Sequence, residues 1–322
     1  MKAEFEKIPL LVVIGPTASG KTGLAIHLAK KFHGEVVSAD SMQIYREMSI
    51  GTAKPTPEEM DGVAHHLVDF ISVSEEYSVA RYVKEAAQCI EDIYRRGKLP
   101  ILAGGTGLYV NSLIDHLQFT ESPKDDALRA ELQERMKTEG AEALLAELAE
   151  FDPEAAAALH PNNQGRIIRA IEVYRTSGIT MTEQVRRSRE IPSPYDLCMI
   201  GINFEDRQKL YDRIDLRVDK MMQAGLLEET KEFLSRQNGS TAVQAIGYKE
   251  LAPYLREEIS LEEAVENLKR ETRRYAKRQL TWFRRDERIH WFQRDAMDEK
   301  DFLKNIEKTV EESGILWYND KK

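Results

Sequence analysis

Cysteine is nearly missing from this chain: there are two in 322 residues, Cys89 and Cys198, far apart and each in an apolar segment. That count excludes a disulfide scaffold and leaves no metal-finger spacing. It predicts two reduced core thiols in a cytoplasmic protein. Long apolar runs are missing too. None approaches the roughly 18 residues of a membrane-spanning helix, so no membrane partner is expected. The charged opening MKAEFEKIPL runs straight into a strand-like segment, which does not fit a secretory signal. Basic residues are outnumbered, 46 against 55, for a formal net charge of −9. Taken alone, that balance argues weakly against a nucleic-acid partner; the distribution of charge matters more than its sum. The chain is long enough for one large domain or two smaller ones, and its 42% hydrophobic content supports a real core.

What is present gathers first in residues 8–22, IPLLVVIGPTASGKT. A short apolar run reads as a buried strand and breaks at Gly15. Leu24, Ile26, Leu28 and Ala29 then follow at helical spacing. Between them lies G-x-x-x-x-G-K-[ST], in the strand–loop–helix order that a phosphate-binding loop requires. The loop is Gly15, Pro16, Thr17, Ala18, Ser19, Gly20, Lys21 and Thr22. Its glycines let successive N–H groups converge on an anion, and the helix behind adds the positive end of its dipole. Lys21 supplies a mobile cation, and the Thr22 hydroxyl is the expected Mg²⁺ ligand. The motif predicts a di- or triphosphate, without specifying a nucleotide or hydrolysis.

A second strand, EVVSA, ends at Asp40-Ser41. An acid at that edge of a neighbouring strand faces the loop. Asp40 has two functional readings, Mg²⁺ ligand or general base. A helix N-cap before MQIYREM is the structural alternative. Residues 48–57 read as a loop. His65-His66 lack a ligand cluster around them and point apart, so a structural or substrate-contact role is expected, ahead of a probable strand at residues 67–70. An amphipathic helix over 77–96 leads to the strand LPILA and the run Gly104-Gly105-Thr106-Gly107, where ligand approach is favoured over a mere tight turn. That strand ends without the acid that ATP-hydrolysing loop proteins place there, which points to a kinase-like transferase rather than a motor.

The organisation changes near residues 116–123. Residues 125–150 read as a charged helix, and 164–177 as another with Arg166 and Arg169 off its apolar face. Prolines mark the borders of a helical insertion over 117–195. The α/β core, residues 1–116 and 196–322, resumes with the strand LCMIGI. Arg213 and Arg217 then share one helix face, and Ala245-Ile246-Gly247-Tyr248-Lys249 forms a compact basic turn. Lys269, Arg270, Arg273, Arg274, Lys277, Arg278, Arg284, Arg285 and Arg288 make a stripe, with Tyr275, Trp282 and Phe283 interleaved. Such a stripe is the footprint of a nucleic-acid backbone; pairing with surrounding acids is the alternative. The fold class expected is α/β: a phosphate-loop NTPase-like parallel sheet flanked by helices, with a helical insertion domain.

GPTASGKT at 15–22, SADSMQIY at 38–45, IGTAKP at 50–55, GGTGLY at 104–109, LRAEL at 128–132, RIIRAIEVY at 166–174, GLLEE at 225–229, AIGYKE at 245–250 and TRRYAKRQLTWFRRD at 272–286 occur in this order. Together they resemble the tRNA dimethylallyltransferases, or tRNA isopentenyltransferases, of bacterial type, over nearly the whole chain. Eukaryotic relatives add a zinc finger, which two cysteines cannot build.

The resemblance implies transfer of a dimethylallyl group from dimethylallyl diphosphate to N6 of the adenine immediately 3′ of the anticodon, with diphosphate leaving. Lys21, Thr22 with Mg²⁺, and Arg217 with Arg213 would stabilise the leaving group. Asp40 would accept the N6 proton or orient the amine. The base would flip out of its loop into a channel beside the phosphates. Thr106 and Arg129 match family positions that touch the tRNA, and with the Asp40 motif (Asp40, Ser41, Met42, Gln43) the further contacts expected are Arg166, Arg169, Gly247, Tyr248, Lys249, Arg274 and Arg278. The expected partners are a tRNA anticodon stem–loop and the allylic diphosphate, the expected state a monomer. A nucleotide or small-molecule kinase, and a non-catalytic RNA-binding NTPase, are the competing readings.

Overall fold

The computed structural model describes residues 7–117, 125–236 and 241–316. Its chain begins β1 (Ile8–Ile14), α1 (Lys21–Lys31), β2 (Gly34–Ala39), α2 (Pro57–Met60), β3 (His65–His66), α3 (Val79–Arg95), β4 (Leu99–Gly104) and α4 (Gly107–Ile114). Five helices follow: α5 (Asp126–Thr138), α6 (Ala141–Phe151), α7 (Pro153–Ala158), α8 (Gln164–Ser177) and α9 (Met181–Arg189). Then come β5 (Tyr195–Asn203), α10 (Arg207–Gln223), α11 (Leu226–Ser235), α12 (Tyr248–Leu255), α13 (Leu261–Phe283), β6 (Ile289–Gln293) and α14 (Glu299–Glu312).

The six strands form one sheet in the order β3-β2-β4-β1-β5-β6, and every pair is parallel. An all-parallel sheet is covered on both faces, which is why β1, β4 and β5 read as continuous apolar runs rather than alternating ones. Leu11, Val13, Ile101, Ile200 and Ile202 pack on Leu24 and Leu28 of α1 and on Phe302 and Ile306 of α14. The molecule divides into two compact units, Met1–Leu113 with Pro194–Lys322, and Ile114–Ser193. The second is helical throughout its described elements. Leu132, Leu144, Leu148, Ile167 and Ile171 form its own core. Arg135 and Arg175 both pair with Glu147 beside that core.

Several elements differ from the sequence reading. Residues 125–150 are two helices, because Gly140 at φ 88° breaks the run. The strand placed at residues 67–70 is only the pair His65–His66. Leu67 and Asp69 both take φ of 58°, a left-handed backbone that no strand continues through. Part of the segment where the organisation was expected to change, residues 118–124, lies outside the described residues. β6 went unrecognised: IHWFQ lies between charged stretches and only its first residue is fully buried.

At the amino end of β2 a buried carboxylate locks three elements together. Glu35 accepts from Arg96 at 2.6 and 2.7 Å, from Lys98 at 2.7 Å, and pairs with His66 at 2.8 Å. The Arg96 bonds hold its pKa far below the ordinary 4.5, against the opposing effect of burial. A depressed carboxylate stabilises the fold fully above its unfolded pKa and ceases to as pH falls through the folded value. Glu35→Gln should therefore cost about 1–3 kcal/mol at pH 7, since it removes the buried charge that Arg96, Lys98 and His66 share while those partners stay partly exposed. Urea denaturation at pH 7 and pH 3.5 checks this: the gap between the two proteins narrows at the lower pH, and an equal gap at both would refute the ion-pair account.

Candidate active site

Register makes the site. Ile14 lies opposite Gly104, and Gly104 opposite Ala39. The next residues, Gly15, Gly105 and Asp40, therefore leave the sheet side by side at its carboxyl edge, where open parallel sheets take their ligands.

The loop after β1 curls as the glycines allow. Gly15 sits at φ 152° with its α-carbon against β5: a Cβ there would stand 2.6 Å from the Ile202 carbonyl oxygen. Gly20, at φ 94°, starts α1 without a side-chain cap. The first-turn amides of α1 thus face the site with no side-chain acceptor in place, as an anion site requires. Lys21 Nζ donates to the Pro16 carbonyl across the loop at 2.7 Å. Ser19 is fully buried and its hydroxyl has no partner in the described structure. From α10, Arg213 Nε donates to the Ala18 carbonyl at 2.9 Å. Arg213 thus braces the loop and is not among the cavity-lining residues, unlike the clamp expected of it.

A cavity of about 330 Å³ opens beside the loop. Thr17, Lys21 and Thr22 line it from the loop, Asp40, Ser41, Met42 and Gln43 from the end of β2, and Arg217 from α10. Gly247 and Lys249 at the start of α12, and Arg278 on α13, line it too. Burial, and next the charge of Arg217, lower the Lys21 pKa to about 7, while Asp40 opposes the shift. Burial also lowers Arg217, with Asp40 and then Glu59 acting the other way. Two cations and one carboxylate thus share one poorly solvated space.

Asp40 Oδ1 accepts from the N–H groups of Met42 at 2.9 Å and Gln43 at 3.3 Å. No helix follows; residues 41–48 are turns around an isolated bridge from Tyr45 to Ile71. The capping geometry anticipated for Asp40 is present without the helix, and Oδ2 makes no hydrogen bond among the described residues. Thr106 lies next door, its Oγ1 accepting from Ser41 N–H at 3.1 Å.

The glycine run after β4 serves packing. A Cβ on Gly104 would stand 2.2 Å from the Ala39 carbonyl oxygen, one on Gly105 2.2 Å from Gln279 Nε2, and one on Gly107 2.3 Å from the Trp282 ring. Protein, not ligand, makes the close approach, although Gly104 and Gly105 also line the cavity. Gln279 was missed in the sequence. It is a buried amide on α13 that accepts from Thr17 N–H at 2.8 Å and donates to the Gly105 carbonyl at 2.9 Å. A glutamine inside a basic stripe gives no sequence signal of such a role. Arg294 was missed too; its guanidinium lies 3.5 Å from where a Gly20 Cβ would be.

Other expected contacts fall elsewhere. Tyr248 is fully buried and donates its hydroxyl to Glu229 at 2.7 Å, so it packs the core and offers RNA no face. Arg129, Arg166 and Arg169 belong to the helical unit; Arg166 is exposed, and Arg169 pairs with Glu172 at 3.1 Å. Arg274 is exposed but pairs with Glu271. The stripe is partly neutralised: Lys269 pairs with Asp219 and Arg273 with Asp215, both on α10, and Arg288 with Asp286. Lys277, Arg278, Arg284 and Arg285 are exposed and carry no acidic partner among the described residues. His65 bonds the nearby Val63 carbonyl and His66 the Glu35 carboxylate of the neighbouring strand.

Residues 43–286 match the IPP transferase family. A tRNA dimethylallyltransferase of Acetivibrio thermocellus is 49% identical over 310 residues, 95% of this chain and 99% of that protein. One from Halalkalibacterium halodurans is 50% identical over 301 residues, 93% and 95% of the two chains. The crystal structure of a full-length tRNA isopentenylpyrophosphate transferase from Bacillus halodurans matches with a TM-score of 0.72 at 45% identity, covering 97% of this chain and all of that one. A eukaryotic dimethylallyltransferase acting on tRNA matches at 0.79 with 32% identity, over 94% and 77%. Fold and site together define a group-transfer enzyme built on a phosphate-loop sheet. The chain belongs to the IPP transferase family, the tRNA dimethylallyltransferases.

Lys21 also yields a measurable linkage. An anion bound by the loop favours the charged ammonium and raises its pKa above about 7. Binding of inorganic diphosphate at pH 8 should therefore take up a proton at Lys21, and this contribution to affinity should decline as pH rises above 7. Calorimetry in buffers of different ionisation enthalpy reads the uptake. Lys21→Met should abolish this component; an unchanged uptake in that variant would assign the proton to the ligand alone.

Proposed function

We propose that this chain transfers the dimethylallyl group of dimethylallyl diphosphate to N6 of the adenine immediately 3′ of the anticodon in tRNA. The observation that carries the reading is the shared cavity: Lys21, Thr22 and Arg217 on one side of the chemistry, Asp40 on the other. The loop amides, Lys21 and Arg217 hold the diphosphate and stabilise the charge that grows on it as the C1–O bond breaks. N6 attacks C1, the C1–N6 bond forms, and Asp40 takes the N6 proton. Diphosphate leaves on the loop side.

The donors suit Mg²⁺. Thr22 and Asp40 offer hard oxygens to the same space, and no group of three or more His, Cys, Asp or Glu gathers among the described residues. Magnesium is commonly held by one or two protein oxygens plus phosphates and water, which matches this set. Thr22 is the residue that would hold it, and the ion would add positive charge beside the leaving group.

RNA is gripped, in this reading, by Lys277, Arg278, Arg284 and Arg285, the unpaired part of the stripe, with Arg129, Arg166 and Arg169 contributing from the helical unit. Lys249 and the backbone of Gly247 meet the base at the cavity. A monomer suffices, since one chain supplies the whole cavity.

Radiolabelled dimethylallyl diphosphate, Mg²⁺ and unmodified tRNA transcripts test the proposal. Label should enter a transcript with adenine 3′ of the anticodon and not one with guanine there. Asp40→Ala should lower kcat by about 10²–10⁴, and Arg217→Ala by about 10². No label in either transcript, alongside ATP consumption with a small acceptor, would replace this reading with a kinase. Arg284→Ala should weaken tRNA binding, lower its salt slope by about 1 and leave the KM for the allylic diphosphate unchanged.

A further inference from the structure

Gln43 lines the cavity two residues beyond Ser41, and its amide is not free to turn. Nε2 donates to the Thr52 carbonyl at 3.1 Å and the Ala53 carbonyl at 3.2 Å. Two acceptors on one end fix which end is nitrogen, because a carbonyl oxygen there would face two others. Oε1 is therefore held on the opposite side, with no hydrogen bond to the described residues.

The segment that fixes it is itself clamped. Glu229 on α11 accepts from the N–H groups of Ser49 at 2.9 Å, Ile50 at 2.8 Å and Gly51 at 2.8 Å. Tyr248 donates to the same carboxylate. On the other side the Lys54 ammonium, 7% exposed, donates to the Tyr45 carbonyl at 2.7 Å. The Thr52 and Ala53 carbonyls thus stand on a rigid support, and so does Gln43.

Asp40 is the second member. Its Oδ1 is occupied by the Met42 and Gln43 amides, which sets the carboxylate 3.3 Å from the Gln43 backbone nitrogen. Asp40 Oδ2 and Gln43 Oε1 thus have no donor among the described residues, and both side chains belong to one turn whose residues line one cavity. An exocyclic amine carries two N–H donors. A purine with a carbonyl at the same ring position would bring an acceptor against two acceptors.

We propose that Asp40 and Gln43 form a two-acceptor cradle that selects a purine by its exocyclic amine, with Gln43 taking the N–H that Asp40 does not. This rests on the transfer reaction proposed above and adds a specificity residue to it. Gln43 does not remove a proton; it holds the amine so that the other hydrogen meets Asp40. After transfer N6 carries a single hydrogen, so one acceptor loses its donor and the product base is held less tightly than the substrate.

Anticodon stem–loops with one altered base test the cradle on the unmodified enzyme. Relative to adenine, a purine lacking the amine should compete about tenfold or more weakly, and N6-methyladenine, with one N–H, should fall between them. In Gln43→Leu the adenine and N6-methyladenine stem–loops should bind equally, because one acceptor remains. Dimethylallyl diphosphate affinity and circular dichroism of that variant establish that the site is intact. If purine and adenine stem–loops bind the wild-type enzyme equally, or if Gln43→Leu still prefers adenine over N6-methyladenine as the wild type does, Gln43 is a strut for residues 52–53 and the cradle is wrong. Should Gln43→Leu not fold, the wild-type comparison decides. Absence of label transfer by the wild type would instead overturn the underlying reaction, a separate result.

Discussion

The amide of Gln279 receives the Thr17 N–H and gives its own hydrogen to the Gly105 carbonyl, and three parts of the molecule meet at those two bonds. One is the phosphate loop after β1, one the glycine turn after β4, and the third α13, which carries the exposed Lys277 and Arg278. A buried amide that satisfies one donor and one acceptor contributes only about 1 kcal/mol net per bond, but leaving either backbone group unpaired there costs more. The geometry is therefore strongly specified. Gly105 has to be glycine because Gln279 occupies the space of its Cβ, and Gly107 because the Trp282 ring does the same one helical turn further along α13. Trp282 is anchored in turn by Nε1 donating to Asn111 at 2.7 Å.

Around that tie the cavity is charged in a particular way. Burial draws both Lys21 and Arg217 toward their neutral forms, Arg217 pushes Lys21 the same way, and the charge of Asp40 opposes both shifts. An anion with two or more negative charges relieves that tension; a neutral ligand does not. Opposite the loop, polar support is just as deliberate. Glu229 gathers three consecutive amides and a tyrosine hydroxyl, and Lys54 holds the carbonyls on the other side of the same segment. In the proposed reaction the phosphate side is built from cations and the base side from oriented acceptors, which is the division that a transfer from diphosphate to an amine requires.

How much of this the sequence carried depends on how local the cause was. The phosphate loop was legible because its strand, glycines and helix are contiguous, and β1, β4 and β5 were legible because burial on both faces makes their apolar runs nearly unbroken. The break at Gly140 and the stop at Leu67 were not, since both come from single left-handed residues inside otherwise permissive stretches. The basic stripe was visible, but its partial neutralisation was not: Asp215 and Asp219 lie fifty or more residues away and reach Arg273 and Lys269 only because α10 packs on α13. Tyr248 looked like a base contact in a Gly-aromatic-basic turn. The fold buries it over Gly51, where a Cβ would stand 2.7 Å from its ring. Gln279 and Gln43 acquire their roles wholly from partners that the chain brings up in space, and glutamine itself gives no pattern to read.

The strand end without an acid now has a physical reason. In phosphate-loop hydrolases a carboxylate closing a buried strand completes the metal shell. Here that position is taken up by Gly104, where any side chain would collide with the Ala39 carbonyl at 2.2 Å, and by Gly105, closed off by Gln279. No acid fits at the end of β4 while α13 packs against it. The one carboxylate among the described cavity-lining residues is displaced by one strand, to Asp40 after β2, where a turn presents it and Gln43 stands beside it. On the reading proposed above, this puts the acid on the acceptor side of the cavity, where a transfer to an amine needs it. The packing of one helix therefore bears directly on which reaction the sheet supports.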